Sequence, residues 1–483
     1  MQTIRNPILI VIILLSLALG LATLTRGQDW GDDFASYIMQ AQSVSNGTIQ
    51  TFMQHNAFTV NKSFGYIGPI AYPWGYPLIL VPAYLLRGVH PIVLKLPALF
   101  FFAGFLVCLY FWMKSRFTPT ESLLIVSLFA FNPMLIGFLD YIVSDIPFLF
   151  FSTLTLLFLS RDKRFTVAGS IWIGLSIGFA FFIRKQGILL LPGYIVALTW
   201  NARKNKSDLN NIKMLVQHVL VITFTFALVW LTTALLFPGE GGSYFAQYGA
   251  FQLKTVIEFV GRYAVLFSSF FGDHWAWQIL YWVTVIFFLI GAWTTWKDDK
   301  HLLFFFVIWM LFLITWPFWQ GERFIFPLLP IYVYFVFSGM KTSIARLPIS
   351  LRKTGTTIFY TFWIVVSVVF LFISSVGAYT NLRANRDSAG PFDAYSDEMF
   401  NFIRDNTSPD SVVVFFKPRA MSLFTGRYSM RVIECRYLRD GDYVSLHKKW
   451  DNSQILPDQI DECGIPLKNV YENRRFIVYE ILK

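Results

Sequence analysis

Asp29-Trp30-Gly31-Asp32-Asp33-Phe34-Ala35-Ser36-Tyr37 follows closely on the first apolar run of the chain, Pro7 to Leu24. Two adjacent carboxylates beside a membrane span are costly to hold there, and ionisable groups so placed mark functional sites by default. The apolar run has only one basic residue before it, and it reads as a retained signal-anchor. After the acidic pair, Phe34, Ile38, Ala41 and Val44 recur at helical spacing, Gln40, Ser43 and Asn46 take another face, and Gly47 supplies a stop. That pattern predicts a helix lying along the membrane interface.

Composition settles the class. The 483 residues are 55% hydrophobic and only 14% charged, with a mean hydropathy of +0.53, too little charge to cover a soluble surface of this size. The net charge of +11 is scattered through short connectors, which argues against a nucleic-acid face and for the positive-inside pattern. About eleven spans are expected, near 7–24, 92–113, 120–138, 143–160, 166–183, 186–200, 214–237, 277–296, 302–319, 324–340 and 357–379. Under this count Lys114/Arg116, Arg161/Lys163/Arg164, Arg203/Lys204/Lys206/Lys213, Lys297/Lys300 and Lys341/Arg346/Arg352/Lys353 fall on one side, which should be cytoplasmic. The amino terminus is then cytoplasmic, and the carboxyl-terminal segment extracytoplasmic.

The expected fold is thus a membrane all-α domain over 1–380, with an outer loop at 25–91, and a small extracytoplasmic α/β domain over 381–483. Within the loop, Tyr72-Pro73-Trp74-Gly75-Tyr76-Pro77 is an aromatic turn leading into Leu78 to Leu86, a run too short to span and read as re-entrant or interfacial. In the final segment an amphipathic pattern (Phe392, Tyr395, Met399, Phe402, Ile403) precedes strands at Val412–Phe416, Met430–Ile433 and Phe476–Ile481. Cys108 reads as a small buried residue, while Cys435 and Cys463 are either a disulfide or two free thiols. His55, His90 and His274 lack metal-like companions, and the Asn-x-Ser/Thr triplets at Asn46, Asn61 and Asn406 carry no weight.

Four elements together resemble the polytopic C-type glycosyltransferases, which include protein O-mannosyltransferases and the lipid A aminoarabinose transferase. They are the Asp-Asp pair four residues before Tyr37, the Tyr-Pro-x-Gly-Tyr-Pro turn, Ser144-Asp145-Ile146-Pro147-Phe148 opening the fourth span, and Arg323-Phe324-x-x-Pro327-Leu328-x-Pro330 at the tenth. The resemblance covers roughly residues 5–380. It implies a polyprenyl-phosphate-linked hexose or pentose as donor, attacked at its anomeric carbon on the outer face with inversion, and by kinship a bacterial inner membrane. The acceptor is then a hydroxyl on a protein, a glycolipid or a cell-wall polymer. Many relatives have Asp-Glu where this chain has Asp32-Asp33, which leaves the matching of the pair open.

The chemistry fits these residue types. An alcohol is a poor nucleophile, and a carboxylate that takes its proton contributes roughly 10²–10⁴-fold. The resemblance implies Asp33 as the base, since it stands four residues before Tyr37 as in the relatives, with Asp32 capping the interfacial helix; the plain alternative is that both acids only cap. Asp145 either orients the acceptor, positions a divalent cation or pairs with an arginine, or else simply caps its helix. The departing phosphate needs preplaced cations, for which Arg184, Lys185 and Arg323 stand on the outer side where basic residues are scarce. Lipid-headgroup snorkelling is the plain alternative for each. Tyr37, Tyr72, Trp74 and Tyr76 are expected around the substrate, although interfacial aromatics are common. No metal-binding Cys/His spacing or nucleotide loop is present, and no cofactor is required. The rival reading is a multi-pass transporter or lipid flippase, but no internal halves are visible and the polar residues gather at one face.

Overall fold

The computed structural model describes residues 6–161, 166–196, 209–241, 248–249, 251–449 and 453–483. Its first part is helical: α1 (Pro7–Thr23), α2 (Asp33–Asn46), α3 (Ile49–Lys62), α4 (Gly75–Arg87), α5 (Pro91–Met113), α6 (Pro119–Ala130), α7 (Pro133–Phe138), α8 (Asp145–Arg161) and α9 (Val167–Ile183). After a 3-10 turn at Lys185–Leu189 come α10 (Leu209–Leu236), α11 (Leu253–Leu266), α12 (Trp275–Thr315), α13 (Leu329–Ala345) and α14 (Ile349–Arg383).

Five helical segments among the described residues are long and apolar enough to cross a membrane: Pro91–Met113, Ile212–Leu236, Trp275–Thr315, Glu322–Ala345 and Ile349–Arg383. Three shorter apolar helices accompany them, so among the described residues the expected count of eleven spans is not confirmed by length. The differences have local causes. The expected span at 120–138 is two helices because Asn132-Pro133 starts a new one: Asn132 caps it by accepting from the Leu135 N–H at 3.2 Å, and Pro133 occupies the first turn. Before it, Thr118 and Glu121 form a capping box that opens α6. The expected span at 186–200 opens as the 3-10 turn, and its end lies outside the described residues, as do Lys163, Arg164, Arg203, Lys204 and Lys206.

The expected pair at 277–296 and 302–319 is contained in α12, which is broken at Asp299 (φ −121°, ψ 26°). In a straight helix Phe288 and Phe306 would stand about 27 Å apart at 1.5 Å per residue. Their rings are 5.1 Å apart, so the two halves fold back against each other. Gly291 and Gly339 let α12 and α13 touch: a Cβ on either would lie 1.9 Å from the other helix's carbonyl oxygen.

Ion pairs tie the basic connectors together at one end of the bundle. Arg116 bonds Asp299 at 2.5 Å, and Lys341 bonds Glu121 at 2.9 Å. At the other end lie α2, α3 and α4, the last a short helix over the run expected to be re-entrant or interfacial.

The last part is an α/β unit with α15 (Ala394–Asn406), α16 (Pro418–Thr425) and strands β1 (Val412–Val414), β2 (Tyr428–Met430), β3 (Tyr443–His447), β4 (Leu467–Glu472) and β5 (Phe476–Ile481). The sheet order is β2-β1-β3-β5-β4, parallel across the first three and antiparallel across the last three. Neither β3, where only Val444 and Leu446 are aliphatic, nor β4, which carries charged Lys468 and Glu472, was among the expected strands. One face buries Phe400, Ile403, Phe415 and Val478 under α15, and the other buries Val414, Val444 and Leu446. Cys435 and Cys463 are joined in a disulfide across the second face.

This unit is stapled to the bundle. Asn381 donates to the carbonyls of Ala22 and Leu24, Arg386 donates to Leu21 and Leu24, and the backbone at Arg26 and Gln28 bonds residues 386–389. Trp30 inserts its indole among Phe415, Phe416 and Phe476, with centroids 5.0–6.3 Å away. The loop bearing the acidic pair is therefore anchored in the core of the terminal domain.

Candidate active site

The strap between α1 and α2 is fixed before it reaches the acidic pair. Lys95, fully buried at the start of α5, donates to the carbonyls of Thr25 (3.2 Å) and Gly27 (2.7 Å) and pairs with Asp140 at 2.7 Å. Trp30 then pins the next turn, and Asp32 and Asp33 follow at the start of α2.

The two acids diverge. Asp32 makes no capping bond to its own helix, contrary to expectation, because its backbone is already helical (φ −90°, ψ −22°) and turns the carboxylate away. It accepts instead from the backbone N–H of Arg419 at 3.3 Å, meeting the first turn of α16 in the other domain. Burial raises its carboxyl above the ordinary range by more than Lys417 and Arg419 offset. Asp33 points into the membrane domain. Its Oδ1 accepts from the Tyr72 hydroxyl at 2.5 Å and its Oδ2 from Arg323 Nη2 at 3.1 Å. Burial acts to raise this carboxyl too, but Arg323, the Tyr72 hydrogen bond and Arg419 outweigh it, so Asp33 ionises below the usual carboxylate range.

Tyr72 is held from both sides. Gln40 on α2 donates to its carbonyl (2.9 Å) and accepts from its N–H (3.0 Å). Arg419 donates to its hydroxyl at 3.4 Å. Gly68 (φ +110°) makes room, since a Cβ there would lie within 3 Å of both the Tyr72 hydroxyl and the Arg419 guanidinium. Burial beside Asp33 raises the Tyr72 phenol well above its ordinary value, keeping it a donor.

Asp145, 1% exposed, opens α8 and is bonded by Arg184 from the turn after α9. Arg323 Nη1 stands 4.0 Å from its Oδ2, an oxygen with no hydrogen-bond partner among the described residues. Arg184 also lies over the Phe324 ring at 4.4 Å. One cluster therefore holds Asp33, Asp145, Arg184 and Arg323, contributed by four separate segments.

A divalent cation at Asp145 does not fit this donor set. The carboxylate faces two guanidiniums, and among the described residues there is no group of three His, Cys, Asp or Glu side chains that could share an ion. A hard cation wants an oxygen-rich shell.

The other expected residues divide. Tyr37 lines the cavity, bonds Ser144 (3.1 Å) and packs on Tyr72 and Tyr76. Tyr76 is buried beneath it and does not reach the cavity. Trp74 is buried and bonds the Pro238 carbonyl at 3.0 Å, lining a neighbouring groove instead. Lys185 pairs with Glu240 at 2.7 Å. His274, one of the isolated histidines, caps α12 by accepting from the Ala276 N–H.

The site is a cavity of about 570 Å³ lined by Asp29, Asp32, Asp33, Tyr37, Tyr72, Arg184, Arg323, Lys417 and Arg431, among others. Beside it runs an apolar groove of about 680 Å³ with Phe181, Phe182, Trp230, Phe237 and Trp316. Pro73, Lys185, Gln186, Phe312 and Trp316 line both, so the polar chamber and the apolar groove are continuous.

Sequence reasoning missed Trp30, Gln40, Lys95 and the cations of the terminal domain. Only Pro418, favoured at a helix start, offered a local hint of the helix that carries Arg419.

Comparison with known proteins agrees with this architecture. Residues 71–230 match the dolichyl-phosphate-mannose-protein mannosyltransferase family. No curated protein sequence matches the chain. Among solved structures, ArnT from Cupriavidus metallidurans bound to undecaprenyl phosphate superposes with a TM-score of 0.60 at 13% identity, covering 98% of each chain. The Archaeoglobus fulgidus oligosaccharyltransferase, in complex with zinc and sulfate, gives 0.64 at 13% identity over 98% of this chain and 73% of its own. The mycobacterial arabinofuranosyltransferase AftD gives 0.53 at 11% identity over 98% and 40%. The fold is that of the polytopic C-type (GT-C) glycosyltransferase superfamily.

Proposed function

We propose that this protein transfers a sugar from a polyprenyl-phosphate donor to an acceptor hydroxyl at the extracytoplasmic membrane face, with Asp33 as general base. The observation that carries the reading is the junction itself: a charged chamber with Asp33 at its wall opens directly onto an apolar groove. A lipid-phosphate donor needs both environments at one point. Its prenyl chain lies in the groove beside Phe181, Trp230 and Phe237, and its phosphate reaches Arg184, Lys185 and Arg323.

In the reaction the acceptor oxygen attacks the anomeric carbon from the face opposite the phosphate, inverting it. The new C–O bond forms as the C–O bond to phosphate breaks, and polyprenyl phosphate leaves as an anion. Asp33 takes the acceptor proton. Arg323 and Arg184 meet the charge developing on the leaving group, so the proposed reaction runs without a divalent ion. The Tyr72 hydroxyl orients Asp33 by its bond to Oδ1, and Asp145 holds Arg184 in place.

The ArnT structure was solved bound to undecaprenyl phosphate, and the archaeal oligosaccharyltransferase AglB in complex with an inhibitory peptide and a dolichol-phosphate. These relatives support a lipid-linked donor. The test is native mass spectrometry of the purified protein. A retained polyprenyl phosphate, lost in Arg184→Ala, is the expected result; a protein that neither retains nor binds added undecaprenyl phosphate refutes the donor class.

A further inference from the structure

The cations around the cavity can be paired off. Arg184 bonds Asp145, Lys185 bonds Glu240, and Arg323 bonds Asp33. Tyr141 donates to Asp29 at 2.9 Å. Lys417 and Arg431 remain, both on the terminal domain and both on the cavity wall. The Lys417 ammonium has no hydrogen bond or ion pair among the described residues. Arg431 spends Nε and Nη2 on the carbonyls of Phe64 and Tyr66 and leaves Nη1 undirected. The carboxylate they face, Asp32, also faces Arg419 and accepts from its backbone N–H.

Charge is therefore arranged in two groups on either side of the acidic pair. Asp33 faces Arg323, and Asp145 faces Arg184, next to the apolar groove. Asp32 faces Lys417, Arg419 and Arg431, away from it. The first group serves the donor phosphate in the reading above, on which this inference rests. The second stands on the terminal domain.

We propose that Lys417 and Arg431 form a second anion subsite, and that the acceptor carries a phosphate near the hydroxyl that attacks. Lys417, Arg419 and Arg431 face the single carboxylate Asp32, and that excess of positive charge in a half-buried wall favours an anionic over a neutral partner, while a guanidinium with a free Nη1 suits a phosphate oxygen. The phosphate belongs to a soluble sugar phosphate or to a lipid headgroup; the chemistry at Lys417 is the same.

The test uses the full chain in phosphatidylcholine nanodiscs saturated with undecaprenyl phosphate, so that the donor site is filled. Binding of N-acetylglucosamine 1-phosphate is compared with that of neutral N-acetylglucosamine by saturation-transfer NMR. The sugar phosphate should bind on the order of tenfold more tightly. Lys417→Gln alone should reduce that preference, and Lys417→Gln with Arg431→Gln should abolish it while undecaprenyl phosphate binding is unchanged. Nanodiscs containing phosphatidic acid assign the source: competition with the sugar phosphate points to a lipid headgroup, and its absence to a soluble acceptor. Equal binding of charged and neutral sugars, or preference intact in both variants, overturns the proposal. Loss of undecaprenyl phosphate binding in Lys417→Gln also overturns it, by assigning the lysine to the donor. Failure of the wild type to bind undecaprenyl phosphate would instead strike at the donor reading.

Discussion

Arg323 binds Asp33 through Nη2 at 3.1 Å while its Nη1 stands 4.0 Å from Asp145. One guanidinium is thus shared between two carboxylates on different helices. A donor phosphate arriving beside Arg323 competes for those N–H groups, and any it takes from Asp33 frees Oδ2 to accept a proton.

Asp33→Asn should lower sugar transfer by about 10²–10⁴-fold, the range for loss of a general base, while leaving the folded protein intact. Turnover measured beside thermal unfolding in detergent checks this. Full turnover in the variant would remove Asp33 from the mechanism.

Asp32→Asn should behave differently, since an amide oxygen can still accept from the Arg419 N–H. Transfer should persist and stability should scarcely change. Asp32→Ala removes the acceptor and should cost about 1 kcal/mol, typical of a lost helix cap. Denaturant titration of both variants decides whether Asp32 works as an inter-domain cap.

The acid side of the pH profile should follow Asp33. Its folded-state value is depressed, so its ionised form contributes stability above the ordinary aspartate value, and that contribution is lost as pH falls through the folded value. Activity should therefore persist to lower pH than an unperturbed aspartate allows. Arg323→Gln removes the largest offset to burial, and the acid limb of the rate profile should move upward. An unmoved limb would mean that another group controls it.

Lys95→Met leaves Asp140 without its ion pair and two carbonyls without their donor. Breaking one side of a buried pair costs roughly 3–5 kcal/mol. The double variant Lys95→Met with Asp140→Asn should recover part of that loss, as a double-mutant cycle of unfolding free energies would show.

Trp30→Ala removes an indole from the aromatic cluster of Phe415, Phe416 and Phe476. Because the indole is only half-buried, the expected cost is about 2–3 kcal/mol, below the range for a fully buried aromatic. Limited proteolysis should then cut more readily between Arg383 and Asp393, where the two domains are joined. Unchanged digestion would show that Trp30 does not hold them.

Much of the site was legible because it is written in short local patterns. The spacing of Phe34, Ile38 and Ala41 placed α2, and the structure buries all three in the protein core rather than leaving them to the bilayer surface. Asp145, Arg184 and Arg323 stood out because charge is scarce at the ends of apolar runs. Span counting was less secure, since it assumes that each apolar run makes one straight helix. Asn132-Pro133 breaks that assumption by a missing N–H and a cap, whereas the non-helical residue Asp299 falls between two expected runs. Trp74 and Tyr76 read alike in the sequence but face a groove and a buried layer respectively, a distinction set by how α4 docks on α2 and α9.

The sequence by itself determined a bilayer-scale helical protein with acids and arginines at the ends of its apolar runs, because hydrophobic length and local charge are properties of neighbouring residues. Only the tertiary structure decided that Asp32 caps a helix of the other domain while Asp33 meets Arg323. Only it brought Arg419, Lys417 and Arg431 to the cavity wall. Those contacts join residues hundreds of positions apart, and no local periodicity encodes which distant side chain will fill the space beside a carboxylate.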